Sequence, residues 1–317
     1  MAARSETARS APAVGPAERR RAFAALVTAG VPWGASLPLG KVALREIGPT
    51  WLIVWRFALA VAAFAVVVRW RSLRLTPALA AQVVAGGVLA GVVVFLVQFE
   101  GLARTTATSA ALLVAVGPPL IAVLAALVDG ERGGRSTWTA VGLSVLGVAL
   151  LAGAPGPGRS LVGDALCLTA MVGTAVWVLL TRRIAWALGP VEAAALQFLV
   201  GLAVLVPAAF WREGPPPALS PVGWSALLFL GLGCTAVTFW LWNWGIMRVE
   251  AARAGVIANL EPAIGALLGV AVLGEQITPL SVIGGITLLL AAFLATRPET
   301  VATTPRPRRL QSPVRKS

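Results

Sequence analysis

Seven side chains with polar or aromatic chemistry stand inside stretches that are otherwise apolar: Trp33, Arg56, Gln98, Gln197, Asn243, Asn259 and Glu261. In hydrocarbon such groups are costly unless they face a partner or a cavity, so each marks a candidate binding position. Glu261 precedes Pro262, whose ring frees a backbone carbonyl one turn earlier. A carboxylate there could bind an amine or carry a proton, or it could neutralise a cation within the fold. Arg56 could hold a ligand carboxylate, extend toward the surface, or pair with an acid on a neighbouring helix. Gln98, Gln197 and Asn259 could hydrogen-bond a ligand or one another. Trp33 sits between Pro32 and Gly34, where a kink opens backbone polarity. Trp240, Trp242 and Trp244 alternate around Asn243. At helical spacing, i and i+2 do not share a face, so the three rings cannot form one stack. An interfacial aromatic belt is the simpler expectation for most of them.

Other chemistry finds little support. Histidine is absent, which removes the commonest metal ligand and acid–base group near neutrality. Cys167 and Cys234 each lie within an apolar run and read as small buried hydrophobes. No G-x-x-x-x-G-K nucleotide-binding loop is present, and no carboxylate pair shares one loop. No catalytic residue, metal or cofactor is expected. The net charge of +13 could suggest nucleic acid, but the cations sit between apolar runs and at both ends, as membrane topology arranges them.

The elements that must position these residues follow from hydropathy. Hydrophobic residues make up 58% of the 317 and charged residues 12%, about half the usual soluble share. The mean hydropathy is +0.84. Apolar runs of roughly 20 residues match a bilayer core. Ten spans are expected at 22–44, 49–70, 80–102, 106–128, 137–152, 161–181, 191–210, 222–247, 252–273 and 279–295. About 21 mostly polar residues precede the first run, which is too long for a signal-peptide core. The tails 1–21 and 297–317 are expected to be disordered and cytoplasmic. With the N-terminus inside, twenty of the 26 Lys and Arg residues fall on the inner side. Five fall outside (Lys41, Arg45, Arg104, Arg159 and Arg212), and Arg56 lies within a span. That bias predicts ten spans with both termini cytoplasmic, in a multi-pass cell (inner) membrane protein.

A turn-rich segment, 154–160, separates residues 22–153 from 161–296, and the two parts match. At an offset of 144, Gly101 falls on Gly245, Arg104 on Arg248, Pro118 on Pro262, Gly130 on Gly274 and Glu131 on Glu275. Trp33 falls on Trp177 and Phe95 on Phe239; with a three-residue slip, Arg56-Phe57 falls on Gln197-Phe198. Five spans per half is an odd number, so the halves enter the membrane in opposite senses. The expected fold is an all-α integral membrane protein of two inverted five-helix repeats. That is an architecture of secondary transporters, with the substrate site at the midplane between repeats. Glu131 and Glu275, each closing a span, are expected to act structurally at helix ends. Lys41 is expected to extend to the interface, and Asp164 to be solvated or to serve a helix N-terminus. Gly87 with Gly91 and Gly265 with Gly269 have the spacing of close helix contacts.

These residues resemble the drug/metabolite transporter superfamily, specifically its EamA-type members. Trp33-Gly34 with Lys41 resembles the family's first helix, and Arg56-Phe57 its second. Gly101 to Glu131, with Thr108-Ser109-Ala110 and Pro118, resembles the third-to-fourth-helix signature. Gly163-Asp164, Trp242-Asn243, Glu261-Pro262 and Leu273-Gly274-Glu275 follow in half two. The chain departs from the pattern in lacking tyrosine and in having no arginine at the Arg56 position of half two. The resemblance implies a secondary transporter, not an enzyme, that exports a small metabolite such as an amino acid by alternating access. Its partners are that small molecule, the lipid bilayer and a proton as candidate coupling ion, with no nucleic acid; the oligomeric state stays open, a monomer included. The competing readings are a membrane-embedded enzyme and a channel-like scaffold without active coupling.

Overall fold

The computed structural model describes residues 15–68, 73–128, 135–154, 156–246, 248 and 257–295, and among these it is helical with no strand. Helix α1 spans Pro16–Ala43, α2 Pro49–Val67 and α3 Pro77–Arg104. Helix α4 consists of Ala107–Val114 and Gly117–Val128, followed by α5 at Arg135–Ala152. The second half has α6 at Leu161–Leu188, α7 at Pro190–Glu213 and α8 at Pro221–Gly245, then α9 at Leu260–Leu273 and α10 at Pro279–Ala295.

Proline at the first helical position starts α1, α2, α3, α7 and α8. Its fixed φ suits the helix, and its missing N–H costs nothing there. Hydroxyls cap the next turns: Thr76, Thr106, Ser160 and Ser220 accept from the backbone N–H three residues on. Pro118 and Pro119 lack N–H donors, so α4 breaks at Ala115–Val116, where the ladder tightens to Ala115→Leu112 and Val116→Leu113.

Helices α3 and α8 both widen to π-helix, over Leu89–Leu96 and Phe229–Val237. At the repeat offset of 144 the first segment falls on 233–240, so the second begins about one turn early. The duplication therefore preserved the device but not its register.

Among the described residues, eight helices are long and apolar enough to cross a membrane; α9 and α10 are shorter, at 14 and 17 residues. The expected ninth span began at residue 252, and its part before 257 lies outside the described residues, as do Gly130 and Glu131. The expectation of a disordered tail through residue 21 is corrected: α1 is already helical from Pro16. Proline at N1 and Glu18 in the first turn favour that start, and Ala22 and Leu26 are fully buried, packing against Gly245. The remainder of both tails lies outside the described residues.

The two halves interlock. Helix α1 packs on α8 and α9, while its counterpart α6 packs on α3 and α4. Helix α2 packs on α7, and α5 on α10. This neighbour pattern is unchanged when the halves are exchanged. Counterparts also run in opposite senses, since the C-terminal Glu213 of α7 meets the first amides of α2. Gly265 packs on Gly34 and Ala111, and Gly87 and Gly91 on Gln197, Val200 and Gly201. The core centres on Phe57, Phe99 and Phe198, where α2, α3 and α7 meet.

Candidate functional site

Arg56 stands at the centre of the bundle, only 4% exposed. Its Nε donates to Thr235 Oγ1 (2.9 Å) and its Nη1 to Ser36 Oγ (3.0 Å). Its Cζ lies 5.0 Å from the Phe95 ring centre and 5.6 Å from that of Phe99, within cation–π range. Both π-helical segments thus serve this one guanidinium, α3 by Phe95 and α8 by Thr235. The Thr235 hydroxyl in turn donates to Leu230 O, five residues back (2.8 Å). Among the described residues, no carboxylate lies within ion-pair distance of Arg56. Glu261, in the first turn of α9, is partly buried and interacts with Arg56 electrostatically from farther away.

Trp33 of α1 packs against Phe239 (5.9 Å) and Trp242 (5.0 Å) of α8. Its neighbour Gly34 lies against Glu261 O and Ile264, which seats α1 on α9. Pro32 O accepts from Cys234 Sγ (2.9 Å). An aromatic series continues across the interface between halves: Phe239 to Phe198 (5.8 Å), Phe198 stacked on Phe57 (4.4 Å), and Phe95 edge-on to Phe57 (5.1 Å) and Trp177 (6.3 Å). The three alternating tryptophans diverge: Trp242 faces Trp33, Trp240 is 52% exposed, and Trp244 lies under Arg248 (4.5 Å).

The structure therefore brings Trp33, Arg56 and Glu261 to one interior region between α1, α2, α8 and α9. Asn243 lies on α8 one turn beyond Phe239, whose carbonyl accepts from its Nδ2 (2.8 Å). Asn259 takes the N-cap position of α9. Gln197 is different. It is fully buried, and its Oε1 accepts from Trp177 Nε1 (2.7 Å) and Thr181 Oγ1 (3.0 Å) while Nε2 donates to Ala193 O (2.9 Å). Gln98 is partly buried on α3, with its carbonyl near Cys167 Sγ (3.8 Å).

Sequence reasoning named Phe95 only as the repeat counterpart of Phe239 and did not single out Ser36, Thr235 or Phe99; all four surround Arg56. Ser36 had one available signal, lying one helical turn after Trp33. Thr235 had none, because its placement depends on the π register of α8.

The end of the bundle that carries the α1–α2 turn is rich in polar contacts. Lys41 Nζ donates to the carbonyls of Leu102 (2.7 Å), Ala103 (3.3 Å) and Thr105 (2.6 Å), closing the C-terminus of α3. Glu275 accepts from the first amides of α4, Ala107 N (2.6 Å) and Thr108 N (2.7 Å). Asp164 stands in the first turn of α6, one of the two expected settings, and is buried rather than solvated. Its Oδ1 accepts from Thr105 Oγ1 (2.7 Å) and Ser109 Oγ (2.8 Å), and its Oδ2 pairs with Arg159. A cavity of about 360 Å³ at this end is lined by Lys41, Leu44, Arg45, Ala103, Leu273 and Glu275. No group of three or more metal-ligating side chains occurs among the described residues.

A doubled bundle with a buried guanidinium at the interface of its halves agrees with the family comparison. The profile of the EamA-like transporter family matches residues 20–153 and again 161–297. This chain belongs to that family. It is a multi-pass membrane transporter, and its family and relatives are transporters rather than enzymes. An "Uncharacterized transporter" of Archaeoglobus fulgidus is 27% identical, covering 83% of this chain and 93% of its own. The "Probable terminal-alkyne amino-acid exporter" of Streptantibioticus cattleyicolor is 26% identical, over 87% of this chain and 94% of its own. A crystal structure of a protein 22% identical superposes with a TM-score of 0.62, over 88% of this chain and 97% of that one. That likeness shows the fold.

Proposed function

We propose that this EamA-family protein is a secondary transporter that exports amino acids or related small metabolites by alternating access. Its ten helices would cross the membrane as two inverted five-helix repeats with both termini cytoplasmic, as the distribution of Lys and Arg supports. The α1–α2 end then faces outward. The observation that carries the reading is Arg56: a permanent cation buried between the halves, held by two neutral hydroxyls and two rings, with no carboxylate paired to it among the described residues. A buried charge of this kind calls for an anionic partner. A substrate carboxylate supplies one, and Glu261 stands ready for an amine or a proton. Trp33, Asn243 and Asn259 flank that position. Gln98 and Gln197 stand farther off, on the α3–α6–α7 side. The relative described as an amino-acid exporter supports the substrate class.

The test is uptake and counterflow in proteoliposomes with amino acids, nucleosides and sugars, with and without a pH gradient. Amino-acid counterflow is expected, and Glu261→Gln is expected to abolish its dependence on the gradient. Gradient coupling of wild-type size in Glu261→Gln would remove the proton role. Failure of the whole panel to move through folded protein would remove the transport reading.

A further inference from the structure

Hydroxyls inside the helices of this protein commonly spend their protons on their own backbone. Thr169, Thr174, Thr238 and Thr287 each donate to the carbonyl four residues back, those of Ala165 (2.9 Å), Ala170 (2.8 Å), Cys234 (2.7 Å) and Ile283 (2.8 Å). Thr235, in the π-helical segment of α8, donates to Leu230 O five residues back. Ser36 departs from this habit. Its Oγ accepts from Arg56 Nη1 (3.0 Å), but among the described residues its own proton has no acceptor.

The reason lies one turn back along α1. The carbonyl within reach of a Ser36 hydroxyl is that of Pro32. Within the helix that oxygen already faces the Ser36 amide, and Cys234 Sγ of α8 donates to it as well (2.9 Å). A carbonyl oxygen has two lone pairs, so a third donor finds neither free. Ser36 is only 7% exposed, which keeps its proton from bulk water. A buried polar hydrogen without an acceptor is costly, and a ligand that supplies the acceptor recovers that cost.

The two hydroxyls that hold Arg56 are therefore not equivalent. Both accept from the guanidinium. Thr235 has its proton committed to Leu230 O, so toward Arg56 it acts as an acceptor alone. Ser36 accepts from Arg56 and still has a proton to give. Donation from Nη1 polarises the Ser36 hydroxyl and makes it a better donor in turn. The Ser36 O–H and the guanidinium form one group of donors around one positive charge. A carboxylate fits that group, because it brings negative charge and lone pairs for several donors. An amine would bring only further donors and a like charge.

We propose that Ser36 binds the substrate directly, donating its hydroxyl proton to the carboxylate that Arg56 attracts, while Thr235 is a positioning residue that acts through Arg56. This rests on the reading of Arg56 as a carboxylate site given above. It makes α1 of one half a direct contributor to substrate selection, and it leaves α8 of the other half to fix the orientation of the guanidinium.

The experiment compares amino acids with their primary amides, which lack the carboxylate, as competitors of counterflow in proteoliposomes. Wild type is expected to prefer each acid over its amide. Ser36→Ala should raise the KM for the acids about tenfold with kcat little changed, as loss of a hydrogen bond to a charged group would. Competition by the amides should hardly move, so the preference for acid narrows by the same factor. Ser36→Cys, which keeps a weak donor, should fall between. Thr235→Val should also raise the KM for the acids, and Thr235→Ser should restore it. Thr174→Val, which removes a back-bonded hydroxyl elsewhere, should change neither constant. A wild-type KM and preference in Ser36→Ala would overturn the role of Ser36 and leave the transport reading standing. Equal weakening of acids and amides would overturn it too, by making Ser36 structural. A KM in Thr235→Ser as high as in Thr235→Val would remove the positioning role. A wild-type protein that moves the acids but treats acid and amide alike would remove the carboxylate site on which this inference rests.

Discussion

Arg56 and Gln197 occupy the same place in the two repeats, and the structure treats them in opposite ways. In half two, Trp177 and Gln197 bond directly, and Thr181 and the Ala193 carbonyl complete the set. In half one, Trp33 turns instead to Phe239 and Trp242, and Arg56 takes its bonds from Ser36 and Thr235. One repeat thus closes its polar position within itself. The other leaves a charge that its own half cannot neutralise. A duplicated scaffold needs only one such position to bind a ligand; the second can stabilise the bundle.

The contrast breaks most severely if half two is made to resemble half one. Gln197→Arg would bury a guanidinium where Trp177, Thr181 and Ala193 provide no counter-charge, a cost of about 3–5 kcal/mol. Loss of folded protein in detergent extracts is the expected outcome, and normal yield with an unchanged melting temperature would contradict it. The reverse change, Arg56→Gln, removes the charge but keeps a hydrogen-bonding side chain. It is expected to lower transport about a hundredfold, as loss of a charge-assisted interaction of roughly 3 kcal/mol would, while thermal stability is retained. Transport at wild-type rates would show that Arg56 is structural. The smallest effects come from the tryptophans. Trp177→Phe should lower stability by about 1 kcal/mol and leave transport kinetics unchanged. Trp33→Phe should raise the apparent KM about threefold with stability unchanged, through a weaker aromatic contact. If the two substitutions exchange these effects, the roles of the halves are assigned the wrong way round.

Much of this was legible before any coordinates. Trp33, Arg56 and Glu261 announced themselves as polar or aromatic groups in apolar runs, and the structure gathers them in one region. Asp164 does stand in the first turn of a helix, as expected, but that position gives no hint of Thr105 and Ser109, 59 and 55 residues away. Gln197 looked like Gln98 in sequence, yet only Gln197 is enclosed by a tryptophan and a threonine.

The sequence by itself determined the membrane class, the helices, the break between halves and their common register. Those features depend on local quantities: the length of an apolar run, and proline and hydroxyl at a helix start. Only the tertiary structure decided which polar groups meet a partner within the fold. Arg56 meets Thr235 across 179 positions, and Glu46 meets Ser220 across 174. A hydrogen bond is a property of two groups in space, and within apolar helices no local pattern specifies the second partner. The same reasoning applies to the carboxylates that tie the halves together: the sequence holds Glu46 and Glu213, but only the packing shows that they meet Ser220 and the first amides of α2.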